Sequence, residues 1–327
     1  MKKEVEKLLQ YVQKPARYIG GELNAVVKDK EKVDIRYAFC FPDTYEIGMS
    51  HLGMKILYGL VNDRDDSWCE RVFAPDNDME EQLRKNNVPL FALESGDYIK
   101  DFDMIGFTLQ YELSYTNILN MLNLAQIPLK SSDRESLTPL ICVGGPCACN
   151  PEPITDFVDI VFLGDGEETT NQIIDLLIEA KKNGLSKHEF LLKAKDITGI
   201  YVPSFYKDSY NDDGTLKSLE PLYDAPEKVK KAVVSDMNSV YYPKEFVVPY
   251  INIVHDRAVE EIFRGCIRGC RFCQAGFIYR PIREKSVETI NMQSKALIES
   301  TGYDELSLCS LSTSDHSEVN KMLTTLI

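Results

Sequence analysis

Apolar residues fall at helical spacing in the first dozen positions, with Val5, Leu8, Leu9 and Val12 along one side of EVEKLLQYVQ. Pro15, then Gly20 and Gly21, stop that pattern, so a short leading helix is predicted over 3–12 within an N-terminal extension of residues 1–30. From about residue 33 compact apolar runs alternate with amphipathic stretches. Strands are predicted at 36–41 (RYAFCF), 70–75 (ERVFAP), 89–94 (PLFALE), 103–109 (DMIGFTL), 140–145 (LICVGG) and 159–164 (DIVFLG). Helices are predicted between and after them, at 48–62, 79–86, 114–126 and 167–184. Short runs that are apolar throughout are strands buried on both faces, and the helices between them are crossovers. The fold class is therefore α/β, with a doubly wound parallel sheet over residues 31–190 of the Rossmann or flavodoxin kind. Its ligand belongs at the carboxyl ends of the strands.

The pattern changes twice more. Residues 191–250 are rich in Tyr, Pro, Lys and Asp, carry pieces such as GIYVPSFY, and read as a connecting segment packed between domains. A third region, 251–327, opens with a strand at 259–264 (VEEIFR) that runs into a cysteine-rich loop. A helix follows over 284–300, Gly302 ends it, ELSLCSL (305–311) makes a second strand, and a last helix begins near Ser314. One βαβ unit cannot cover both faces of its own strands, so this region is expected to be the truncated beginning of a larger domain.

Composition narrows the class. The chain has 327 residues and 44% hydrophobic content, enough for two domains with ordinary cores and against disorder as the main theme. With 37 Lys and Arg against 51 Asp and Glu, the net charge of −14 makes the surface as a whole repel polyanions. No stretch has the length and apolarity of a membrane span, and MKKEVEKLLQYVQK has no signal-peptide core, which gives a cytoplasmic protein as the expectation. Nine cysteines in a reducing compartment point to metal or redox chemistry before disulfides.

Three of those cysteines stand together in RGCIRGCRFCQAG, where Cys266, Cys270 and Cys273 form C-x3-C-x2-C. Three thiolates within eight residues can converge on one cluster, and Gly265 and Gly269 let the backbone turn tightly around it. Three ligands leave one iron of a four-iron cluster open to a chelating substrate, as a catalytic zinc keeps one position open. Phe272 offers an aromatic contact beside the cluster. The same cysteines could instead make a zinc site with a remote fourth ligand such as Cys309 or His255. Arg264, Arg268, Arg271, Arg280, Arg283 and Lys285 make the stretch locally basic. They serve either ion pairs within the protein or the carboxylates and phosphates of ligands, which leaves a nucleic-acid substrate open.

In the first domain the turn after the first strand reads FPDTYEIGMSHLG, a later strand ends in VGGP, and the last in FLGDGEE. Glycines at strand ends let a flat ligand approach the backbone. Thr108 and Gln110 fall near a strand end, and His51, in the first turns of a helix, reads as a cap. Cys142, Cys147 and Cys149 read as small-residue packing. Asp165, Glu167 and Glu168 read as an acidic helix start suited to the helix dipole.

The cysteine loop, with Phe272 just before its last cysteine, a preceding strand and a following helix, resembles the motif of the radical S-adenosylmethionine superfamily. The resemblance implies a [4Fe-4S] cluster on Cys266, Cys270 and Cys273 whose open iron binds S-adenosylmethionine. Reductive cleavage then gives methionine and a 5′-deoxyadenosyl radical. It implies S-adenosylmethionine contacts at Phe272 and, in the segment SLSTSD (310–315), at Ser312 and Ser314. It also implies an electron donor such as flavodoxin or ferredoxin. The first domain resembles the cobalamin-binding domain, with Asp43, Tyr45 and Gly48 as D-x-Y-x-x-G where that family has D-x-H-x-x-G, and with Gly144 and Gly145 as its later glycine pair. Tyrosine in the place of the ligand histidine implies histidine-off cobalamin or a fold kept without the cofactor. Two functional expectations follow: a radical enzyme module, or a non-catalytic corrinoid-binding or sensory module, including a truncated remnant.

Overall fold

The structure is a computed structural model and describes residues 2–326. The leading helix α1 spans Lys3–Leu8 and continues as a 3₁₀ turn to Tyr11. The first domain then runs β1 (Ile35–Phe41), α2 (Tyr45–Gly48), α3 (Leu52–Asn62), β2 (Ser67–Phe73), α4 (Asn77–Asn86), β3 (Met104–Thr108), α5 (Tyr115–Leu124), β4 (Leu140–Gly144), β5 (Ile160–Phe162) and α6 (Glu167–Asn183). The strands stand in the order β2-β1-β3-β4-β5, all parallel, so the chain reverses its direction of growth between β1 and β3. That is the flavodoxin-like doubly wound sheet the apolar runs predict.

Alternation along β1 shows how the layers form. Tyr37, Phe39 and Phe41 pack with Met54 and Tyr58 of α3 and Ile173, Ile174 and Leu177 of α6. Ala38 and Cys40, pointing the other way, pack with α1, α4 and α5 through Val5, Met79 and Ile118. Both faces are covered, which is why the strands need no polar side.

Three expectations are corrected. PLFALE is not a strand: among the described residues its pairing is the isolated bridge of Phe91 with Tyr98. The run lies beside the outer edge of β2, joined there by Leu93 N–H to Arg71 C=O (2.9 Å), while Leu90 N–H turns to Leu124 C=O at the end of α5 (3.0 Å). The helix predicted over 48–62 is broken, because His51 Nδ1 accepts from Met54 N–H (3.1 Å) and starts α3 afresh. The segment expected to connect domains begins instead by completing the first one. Helix α7 (Lys187–Ala194) packs through Phe190 and Ala194, and β6 (Ile200–Tyr201) adds to the sheet antiparallel to β5. An exposed hairpin follows, β7 (Tyr206–Tyr210) with β8 (Leu216–Pro221).

The third region holds β9 (Ala258–Glu261), β10 (Phe263–Arg264), α8 (Ala275–Ile278), β11 (Arg283–Glu284), α9 (Val287–Thr301), β12 (Leu306–Cys309) and α10 (Val319–Thr325). Strands β9 and β12 are parallel and α9 crosses between them, capped by Ser286 and closed by Gly302 in the left-handed region. Strands β10 and β11 pair antiparallel and form the neck of the cysteine loop. This region rests on the first domain through Ile56 of α3, which packs with Tyr242, Phe246, Ala258 and Leu297.

Candidate functional site

A cavity of about 390 Å³ lies between the carboxyl edge of the parallel sheet and the neck of the cysteine loop. One wall is the first domain, with Tyr37 and Phe39 of β1, Gly106 and Thr108 of β3, Gly144 and Gly145 after β4, and the starts of α3 and α6. The other wall is Glu261, Phe263, Arg264 and Gly265 ahead of the cysteines, Ile278 and Tyr279 behind them, and Cys309 to Leu311 after β12. The size suits a cofactor or small-molecule site. Gly145 sits at φ +107°, and a Cβ there would stand 2.9 Å from Leu109 C=O, so the loops after β3 and β4 close together only with glycine in that place.

The two walls are tied by charge. Arg264 reaches Asp165 (3.2 Å) and Glu167 of the first domain and Glu261 of its own strand (2.8 Å). Arg283 pairs with Asp165 and donates to Val234 C=O (3.0 Å), while Asp165 accepts from Val234 N–H (2.8 Å). Lys231 donates to Ile278 C=O (2.6 Å) and Arg280 C=O just beyond the cysteines. Three carboxylates thus meet two arginines around the cavity, and Lys231 is held by two carbonyl oxygens. The acidic start of α6, expected to answer the helix dipole, also anchors the loop. Substituting Asp165→Asn removes the anion shared by Arg264 and Arg283. Amide exchange is expected to rise about tenfold at residues 231–234 and 279–284 and to stay unchanged in β1 and β3, read by hydrogen–deuterium exchange with mass spectrometry.

The expected corrinoid loop divides. Gly144 and Gly145 line the cavity, whereas Asp43, Tyr45 and Gly48 are outside its lining. Tyr45 is 1% exposed, and its hydroxyl donates to Glu22 Oε1 (2.8 Å). Burial and the neighbouring Glu22 carboxylate raise its pKa, so the phenol stays protonated. Gly48 packs against Phe73, whose ring would be 2.3 Å from a Cβ. Asp43 accepts from Thr44 N–H (2.7 Å) and from Tyr111 O–H (3.3 Å). The tyrosine of D-x-Y-x-x-G is therefore a core residue.

His51 does line the cavity, as do Thr108 and Gln110. Burial pushes the His51 imidazole down to about 4, a contact with Gln110 opposing it. Since Nδ1 accepts from Met54 N–H, the neutral ring carries its proton on Nε2 and offers no free lone pair to a metal.

The cysteine loop is open. Cys270 is exposed, Cys266 and Cys273 are half-buried, none is in a disulfide, and Phe272 is 93% exposed. Cys273 N–H donates to Cys270 C=O (3.0 Å), which makes one turn of the loop. Among the described residues no three His, Cys, Asp or Glu side chains converge as a metal-holding group, so the thiols share a loop without being gathered. Their chemistry fits a cluster nonetheless: three accessible thiols at cluster spacing, none with a hydrogen bond from its sulfur among the described residues, on a segment whose ends are fixed. Arg268 pairs with Asp315 and brings the loop to the turn after β12. There Ser312 donates to Asp315 Oδ2 (2.6 Å), and Ser314 is exposed.

Of the basic residues around the loop, Arg264, Arg268, Arg283 and Lys285 are paired with carboxylates, and Arg280 lies over the Phe277 ring (4.5 Å). Lys231 and Tyr37 belong to no motif. Only the pairing of residue 232 with the end of β5, and the face of β1 on which Tyr37 falls, place them at the cavity. No helix among the described residues is long and apolar enough to cross a membrane.

A flavodoxin-like sheet whose carboxyl edge faces a three-cysteine loop in a βαβ setting defines a cofactor-binding α/β protein of two joined parts. Residues 53–203 match the family model described as radical SAM proteins, N-terminal. It is 25% identical over 280 residues to the uncharacterized protein MJ0966 of Methanocaldococcus jannaschii, covering 85% of this chain and 50% of that protein. Its fold is similar to that of the radical S-adenosylmethionine methyltransferase TsrM from Kitasatospora setae. That enzyme was solved with tryptophan substrate and the analog aza-SAM (TM-score 0.54), and with cobalamin and a [4Fe-4S] cluster bound (TM-score 0.52). Both comparisons are at 11% identity and cover 89% of this chain and 50% of TsrM. The chain spans about half the length of the relatives it matches.

Proposed function

We propose that the chain is the cofactor-binding half of a radical S-adenosylmethionine enzyme, in which Cys266, Cys270 and Cys273 hold a [4Fe-4S] cluster and the first domain presents a corrinoid. The observation that carries this reading is the shared cavity: the edge where Gly144 and Gly145 admit a flat ligand faces the neck of the cysteine loop. A cluster in that loop would supply one electron to S-adenosylmethionine, and with it methionine and a 5′-deoxyadenosyl radical. The protein's own part is positional. Arg264, Arg283 and Lys231 hold both ends of the loop against the sheet, and Phe272 and the Ser312–Ser314 turn flank it. The corrinoid is bound histidine-off, since Tyr45 is in the core and His51 keeps its proton on Nε2. An external donor of the flavodoxin or ferredoxin kind supplies electrons. TsrM, with cobalamin and a [4Fe-4S] cluster on a similar fold, supports the pairing of cofactors. The division into an α/β domain, a connecting segment and a radical domain from about residue 251 belongs to the same proposal, with the sheet extended to Tyr201.

Anaerobic reconstitution tests it. Iron and acid-labile sulfide are expected at about four each per chain, and the triple variant Cys266→Ala, Cys270→Ala, Cys273→Ala is expected to lose both. Failure to take up iron in the unsubstituted chain refutes the cluster assignment. A second reading, a corrinoid-binding module without radical chemistry, is favoured by one contrast: the cavity is formed by this chain, whereas the three thiols are not gathered. Corrinoid uptake with no 5′-deoxyadenosine formed from S-adenosylmethionine by the reconstituted, reduced protein would select it.

A further inference from the structure

Six tyrosines are buried in the described residues, and five of them satisfy their hydroxyls. Tyr18 O accepts from Asp76 N–H (3.1 Å), Tyr45 donates to Glu22 (2.8 Å), Tyr58 O accepts from Val26 N–H (2.8 Å), Tyr201 donates to Glu152 (2.9 Å), and Tyr242 donates to Val259 C=O (2.8 Å). Tyr37 is the exception. As a residue it is 5% exposed, but its hydroxyl has no hydrogen-bond partner within the protein among the described residues and opens onto the cavity instead of being sealed in the core. A donor that meets no protein acceptor and opens onto a cavity is free to pair with a ligand seated there.

The position of Tyr37 shows where that partner belongs. Its ring stands on the face of β1 that lines the cavity, between β3 and the starts of α3 and α6. Gly106 of β3 makes room for it: a Cβ there would lie 2.1 Å from the Tyr37 oxygen. The wall nearest it is apolar, with Phe39, Ile56, Leu57 and Phe162, and Arg264 and Arg283 are paired with carboxylates, while Lys231 is held by backbone carbonyls. Burial raises the pKa of the phenol far above its ordinary value, so it remains a neutral donor.

We infer that Tyr37 is a ligand-binding residue whose O–H donates to a neutral acceptor atom, a ring nitrogen or an amide oxygen, of a planar ligand seated in the cavity. The inference rests on the reading above in taking that ligand to be a corrinoid. Tyr37 offers its donor to an uncharged acceptor, and the two arginines of the cavity are already held by carboxylates, while Lys231 is held by two carbonyl oxygens.

Titration of the purified chain with hydroxocobalamin, followed by absorbance and by calorimetry, tests the inference against Tyr37→Phe. The substitution keeps the ring and removes only the donor. Affinity is expected to fall three- to tenfold, while the ligand-free melting temperature stays the same, because the hydroxyl makes no bond within the protein. Equal affinity in the two proteins overturns the role of Tyr37 and leaves the corrinoid reading standing. No uptake by the unsubstituted protein overturns both. Should Tyr37→Phe not fold, the infrared difference spectrum of the unsubstituted protein with and without hydroxocobalamin decides. A shift of a tyrosine C–O band is expected, and an unchanged band refutes the contact.

Discussion

Substituting Arg71→Met is expected to destabilise the first domain by about 3–5 kcal/mol, measured by urea unfolding at pH 7. Arg71 is 2% exposed and is held by two carboxylates, Glu22 Oε2 (2.8 Å) and Glu94 Oε1 (2.6 Å), with Glu94 also accepting from Arg71 N–H (2.7 Å). Tyr45 donates to the same Glu22, so removing the cation strands two buried anions and the phenol that reaches them. Arg71→Lys keeps the charge but cannot fork between two acceptors, and it is expected to recover only part of the loss.

The pH dependence carries the sign of the interaction. Burial by itself would raise Glu22, and Arg71 outweighs it, holding the carboxyl below its ordinary 4.5. A depressed acid contributes stability that is present above about 4.5 and is lost as pH falls through the lowered value. In Arg71→Met the buried Glu22 is held protonated instead, so its contribution to stability should fall as pH rises from about 4.5. An unchanged slope between the two proteins would show that Arg71 does not set the state of Glu22.

This cluster also explains where the sequence stops being readable. The pattern D-x-Y-x-x-G can be seen in the residues, and so can the fact that tyrosine is a poor metal ligand. Whether that tyrosine faces a ligand or the core depends on Glu22, which lies 23 residues before it, and on Arg71 in the next strand. The parallel strands were legible because a strand buried on both faces must be apolar throughout. PLFALE satisfies the same rule and is no strand, because it is buried against the sheet's edge, where its N–H groups scatter to one strand carbonyl (Arg71), one helix carbonyl (Leu124) and one loop carbonyl (Asp97). The cysteine spacing was legible as chemistry, since it lies within one loop. The cavity that faces it was not, because its walls come from residues as distant as Tyr37 and Arg283, brought together by sheet order and by the Asp165 and Glu167 ion pairs.

The second large effect is expected in the third region, where Lys285 and Glu260 form an ion pair (2.8 Å) with both side chains fully buried. Lys285 also donates to Gln293 Oε1 (2.7 Å) and stands 3.5 Å from the centre of the Tyr242 ring, while Glu260 Oε2 has no partner among the described residues. Burial raises Glu260 to about 7 despite Lys285, and burial lowers Lys285 despite Glu260. Both shifts have one origin, the cost of holding charge away from water. Lys285→Met is expected to cost about 3–5 kcal/mol well above pH 7, where Glu260 is ionised in the parent, because it leaves Glu260 alone between β9 and α9. Glu260 must then fold as the neutral acid. The folded state holds a proton that the unfolded chain releases above about 4.5, so stability of the variant should fall by about 1.4 kcal/mol per pH unit from there upward. In the unsubstituted protein that decline ends near 7, where Glu260 ionises beside Lys285. The double variant Glu260→Leu, Lys285→Met removes both charges and should regain most of the loss and flatten the slope. A single variant as stable as the parent at pH 8 would show that the pair is dispensable. The expected loss would place the βαβ unit under the cysteine loop in direct dependence on one buried lysine.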